Sequence, residues 1–155
     1  MKTDLKQFND IFNGTFIKFM NDTANIKLAQ KNETSFQDNK IITVLLYVSG
    51  DFPAKIQINF EKSTADLLIN PNITEGDDFV DEIYKLMFPI SEMLANSIIN
   101  ATEVNTLKIT QPAVFLAANL EIATPTVYSK EIHYSSNIGS FSCSIGIDED
   151  LINDI

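Results

Sequence analysis

Glu92, Asn96 and Asn100 follow one another at four-residue steps inside a stretch whose apolar residues repeat with a helical period. At about 100° per residue the apolar arc centres on Ile83, Ile90 and Leu94, and the three polar residues form a stripe on the other side. Met93 falls at the edge between arc and stripe. A carboxamide offers a donor and an acceptor at fixed geometry, so it can hold a water in line for attack on a phosphoryl group. A carboxylate one turn away adds a charge that a partner can meet. The same spacing also describes a plain solvated helix face, and periodicity alone does not separate the two.

The remaining chemical candidates are weaker. His133, the one histidine, sits in a strand pattern between Ile132 and Tyr134, where a structural role is the usual one. Cys143, the one cysteine, lies between serines in another alternating segment, with no cation or helix start nearby to activate its thiol. One cysteine excludes an internal disulfide and multi-cysteine metal sites, and one histidine excludes the common two- and three-histidine sites. Asp77, Asp78, Asp81 and Glu82 fit the acidic first turns of a helix. There is no glycine-rich phosphate loop.

Composition narrows the function further. The 155 residues carry 21 acidic side chains against 11 basic ones, all lysine, for a net charge of −10. Gripping phosphate backbones or an anionic membrane surface needs clustered cations, so neither nucleic acid nor membrane is an expected partner. The opening residues lack the apolar core of a signal peptide, and the longest apolar run, Ile41 to Val48 broken by Thr43, is too short to cross a bilayer. The expectation is a cytoplasmic protein. No composition break marks a linker, so residues 1–155 read as one domain.

The elements that must position the stripe follow from periodicity. Leu5, Phe8, Ile11, Phe12, Phe16 and Phe19 predict an amphipathic N-terminal helix with Gly14 as its soft spot. A short strand is expected over Ala24–Ala29 and a polar loop over Gln30–Asn39. Ile41–Val48 reads as a central strand buried on both faces, and Lys55–Glu61, which alternates strictly, as its hairpin partner. Ser63-Thr64-Ala65-Asp66 resembles a capping box opening a short helix. A long helical pattern then runs from Phe79 to Ile98, with Pro89 either kinking it or starting a second helix. The last third is strand-like: Leu107–Thr110, Ala113–Ile122, Thr126–Tyr134 in two pieces, and Phe141–Asp148. This order predicts an α+β fold with a mainly antiparallel sheet packed against the N-terminal helix and a long central helix.

Several of these segments resemble the CheX/CheC family of chemotaxis phosphatases. Ser49-Gly50-Asp51 followed by Lys55 to Ala65 is similar to that family's glycine turn, strand and S/T-x-A helix start. Ile109-Thr110-Gln111-Pro112-Ala113-Val114 matches its strand, proline and following strand, and Gly139 to Ile145 its last strand. The resemblance implies a phosphatase acting on the aspartyl phosphate of a CheY-like response-regulator receiver. Asn96 would orient the hydrolytic water and Glu92 would meet a lysine of the receiver. It also implies that Mg²⁺ is held by the receiver, with no cofactor bound by this chain, and that two copies pair as a homodimer. The family signature is Glu-x-x-Asn. With Asn96 as its asparagine, Met93 stands at the glutamate position and Pro89 four places before that. Glu92 is one place off, turned about 40° from Asn96 on the helix. Three readings stay open on the sequence: a hydrolase, a catalytically silent module that docks a receiver or other signalling protein, and a structural dimer module.

Overall fold

In the computed structural model, which describes residues 5–37, 39–50, 53–69, 77–102, 107–118 and 128–147, the aromatic repeat forms helix α1 (Leu5–Ala24). Phe8, Phe12, Phe16, Phe19 and Met20 on its inner side have no exposed surface. The helix continues through Ala24, where a strand was expected to begin. It stops at Asn25, whose φ of 55° is left-handed, a conformation asparagine tolerates better than most residues. The Ile26 N–H then turns back to the Met20 carbonyl at 3.1 Å. Strand β1 is therefore displaced to Ala29–Lys31.

β2 (Lys40–Gly50) is buried from Ile42 to Leu46, as its two-sided apolar sequence requires. β3 (Ala54–Glu61) alternates between buried and half-buried positions and pairs with β2 as the expected hairpin. α2 (Lys62–Leu68) begins at once. Its N-cap is Glu61, which makes no side-chain cap, so the predicted capping box of Ser63 and Asp66 is not used. Asp66 instead receives the Lys62 ammonium at 3.1 Å one turn earlier. The same ammonium lies 5.0 Å from the centre of the Phe79 ring.

The remaining elements are α3 (Asp77–Met87), α4 (Ile90–Ala101), β4 (Leu107–Ile109), β5 (Ala113–Ala118), β6 (Tyr128–Ser136) and β7 (Gly139–Ile147). The sheet order is β1-β6-β7-β3-β2, with every pairing antiparallel. The far flank of β2 is shared end to end by β4 and β5. Pro112 lacks an N–H and breaks that flank. Thr110 bridges the break: its N–H donates to the Tyr47 carbonyl at 2.9 Å and its hydroxyl accepts from the Tyr47 N–H at 3.0 Å.

The register aligns the core in rows across the sheet. Val44, Ile58, Cys143 and Ile132 form one row, and Ile42, Phe60, Phe141 and Tyr134 the next. The helices close over this face. Phe16 packs on Tyr134 and Phe141 with ring centres 5.3 and 6.2 Å away, and the Tyr134 hydroxyl donates to Asn13 Oδ1 at 2.7 Å.

Burial holds both Tyr134 and Cys143 protonated. The tyrosine is pushed far above the usual phenol range by burial and then by the neighbouring thiol, and the thiol is pushed up by burial alone. The unfolded chain ionises both groups at ordinary values, about 8.5 to 10, while the folded chain does not. Their contribution to stability is therefore complete below that window and falls as pH rises through it. The urea midpoint is expected to be lower at pH 10.5 than at pH 7.5; an unchanged midpoint would contradict this.

The turn between β6 and β7 holds a second constraint. Gly139 has a φ of 141°, and a Cβ there would strike the Thr64 hydroxyl. That hydroxyl donates to the Ile138 carbonyl at 3.2 Å and ties α2 to the turn. Gly139→Ala is expected to destabilise by about 2–4 kcal/mol, from backbone strain and a displaced hydrogen bond. Chemical denaturation measures it, and a loss below half of that range would show that the turn relaxes.

Candidate functional site

Pro89 divides the long helical pattern. Having no N–H, it cannot extend α3, yet its φ of −70° suits a helix start, and it caps α4. The Met93 N–H closes the first turn on the Pro89 carbonyl at 3.1 Å. Ile90, Leu94 and Ile98 enter the core. The Ser91 hydroxyl donates to the Thr110 carbonyl at 2.7 Å and pins the start of the helix beside β4. Together these contacts fix the rotation of α4, and Glu92, Asn96 and Asn100 are all exposed on it.

Glu92 and Asn96 differ in how their presence is explained. Glu92 stands in the first turn of α4, where the helix dipole favours an acid. Asn96 stands in mid-helix, where asparagine is a poor choice because its side chain competes for backbone hydrogen bonds. Among the described residues no hydrogen bond or core contact calls for it.

α1 lies beside α4 and runs against it: near the start of α1, Gln7 Nε2 donates to the Ala101 carbonyl at the end of α4, at 3.5 Å. Between the two helices is an open groove of about 490 Å³. Asp10, Gly14 and Lys18 line it from α1; Met93, Asn96 and Ser97 line it from α4. Glu92 is exposed and is not among the residues that line the groove. The structure thus places Glu92 and Asn96 on one exposed face but brings only Asn96 into the groove. Spacing along one helix could not reveal a groove between two. The signal available was Gly14, a glycine inside a strongly amphipathic helix.

No protein-family model matches the sequence, and no curated protein matches it. Solved structures do match. CheX from Desulfovibrio desulfuricans superposes with a TM-score of 0.74, covering 92% of this chain and 99% of that one at 14% identity. CheX from Vibrio vulnificus gives 0.69, covering 90% and 97% at 11% identity. A chain of the CheX–CheY–BeF3–Mg²⁺ complex from Borrelia burgdorferi gives 0.64, covering 92% and 98% at 18% identity. This chain has the CheX/CheC-like fold.

Within this CheX/CheC-like fold the other candidates have structural explanations. His133 lies on the sheet face away from the helices, with Nδ1 2.8 Å from the Thr34 hydroxyl and Nε2 3.6 Å from the Glu131 carboxylate. Cys143 is buried in the core. Glu82 meets Lys85 at 3.3 Å along α3, and Asp81 is exposed. The side chains of Asp77 and Asp78 lie outside the described residues. Among the described residues no three His, Cys, Asp or Glu side chains gather as a metal site, and no helix is long and apolar enough to cross a membrane.

Proposed function

We propose that this chain acts in chemotaxis or two-component signalling and hydrolyses the aspartyl phosphate of a CheY-like receiver. The observation that carries this reading is Asn96, an exposed mid-helix carboxamide on the groove rim with no hydrogen-bond partner among the described residues. Its amide holds a water in line with the phosphorus. The water oxygen bonds to phosphorus as the bond from phosphorus to the aspartyl oxygen breaks. The receiver carboxylate leaves with the electron pair, and the water's proton departs with inorganic phosphate and solvent. An acyl phosphate is already reactive, so positioning is the main help it needs. Glu92, exposed on the same helix, meets a cation of the receiver. The receiver carries the Mg²⁺.

Met93 and Pro89, standing at two positions of the family signature, favour a second reading in which the chain docks a receiver without hydrolysing it. The two separate in one experiment. A receiver is phosphorylated with a small-molecule donor and its decay followed with and without this chain. Hydrolysis shortens the phosphoryl lifetime, whereas docking alone gives binding with an unchanged decay.

A further inference from the structure

Gly14 is exposed in the middle of α1, and a Cβ at this position would meet nothing within 4 Å among the described residues. It is not among the glycines with positive φ. Glycine inside a helix is less stable than alanine, so neither packing nor backbone geometry accounts for it. What the missing side chain leaves open is the groove. Ile11 and Met93, both half-buried, supply apolar lining, and Asp10 is an exposed carboxylate on the rim. The contact of Gln7 with Ala101 places Asn96 level with the stretch between Asp10 and Gly14, about 3 Å along the axis from each. Lys18 lies two turns beyond Asp10, about 12 Å along α1.

Apolar lining with a carboxylate at one end suits a long cationic side chain, whose stem covers apolar surface while its head keeps a counter-charge. Lys18 repels a cation from the other end and so sets the direction of entry. The chain's net charge of −10 favours a basic partner surface. We infer that the groove receives a long cationic side chain of the receiver, with Asp10 as its counter-charge and Gly14 as the gap it crosses. The contact is separate from the one at Glu92 and seats the receiver against Asn96. It rests on the proposal that Asn96 faces a receiver.

The test is calorimetric titration of this chain and its variants with CheY-like receivers of its own organism, each held as a beryllofluoride–Mg²⁺ complex. Gly14→Leu fills the groove and is expected to weaken binding about tenfold or more, with a melting temperature no lower than that of the parent. Asp10→Asn is expected to weaken binding about two- to fivefold and to flatten its salt dependence, while Asp10→Glu keeps both. Should Gly14→Leu prove unfolded, the Asp10 pair carries the test alone. Parental binding and salt dependence in Gly14→Leu and Asp10→Asn would overturn the inference, even if Asn96→Ala abolished dephosphorylation. Weakened binding in both variants, with no effect of the parent on phosphoryl lifetime, would uphold the groove and remove the hydrolase. Failure of the parent to bind any receiver would overturn the inference outright.

Discussion

Phe16→Ala is expected to remove about 3–5 kcal/mol of stability, the cost of deleting a phenyl group from a close-packed core. Phe16 is an aromatic through which α1 grips the sheet. It stacks on Phe12 at 5.6 Å, tilts against Tyr134 at 5.3 Å and meets the edge of Phe141 at 6.2 Å, and Phe141 in turn rests on Phe60 at 5.2 Å. Neighbours held on both helix and strands cannot collapse into the void without moving α1. Domains of this size have about 5–15 kcal/mol in total, so the variant would sit near its unfolding transition. Because α1 forms one wall of the groove, its loosening should also disturb the Asn96 rim. Urea unfolding followed by circular dichroism gives the number. A loss below 1 kcal/mol would mean that the core repacks around the gap and that α1 is not anchored here.

Asn96→Ala should separate stability from activity. Alanine is the better helix former, and the side chain removed is exposed, so the melting temperature should hold or rise. The acceleration of receiver dephosphorylation should fall on the order of 100-fold, the scale lost when a reacting group is no longer held in place. Asn96→Asp should not restore it, because a second anion faces the phosphoryl oxygens and the amide donor is gone. A variant that melts lower and hydrolyses normally would assign Asn96 to the scaffold.

Much of this architecture is legible in the amino-acid pattern. The phenylalanine stripe of α1, the two-sided apolar run of β2 and the strict alternation of β3 each declare a burial pattern, and burial is what the fold preserves. The resemblance to CheX/CheC-like proteins, read from turn residues and strand order, agrees with the solved structures that superpose on this chain. The misreadings have local causes. The strand expected over Ala24–Ala29 gave way because a left-handed Asn25 ends the helix late. The box expected at Ser63 went unused because β3 runs straight into α2, leaving Ser63 already inside the first turn.

The candidate site was legible only in part. Helical spacing put Glu92 and Asn96 on one face, and Pro89 could be read as a break, though not which kind. The partner wall of the groove comes from α1, whose relation to α4 is tertiary and far away in sequence. In the sequence Asp10 and Lys18 are two charges on the polar side of an amphipathic helix, and Gly14 is its soft spot. Their shared placement appears only once the phenylalanines have fixed the roll of α1.

On the proposed function, one exposed carboxamide, that of Asn96, speeds hydrolysis on another protein. The most direct measurement is the single-turnover rate of phosphate release from a phosphorylated receiver at saturating concentrations of this chain, parent against Asn96→Ala. Release well above the spontaneous rate is expected with the parent, and release close to the spontaneous rate with the variant. Equal rates for the parent, the variant and the receiver alone would contradict the proposed function.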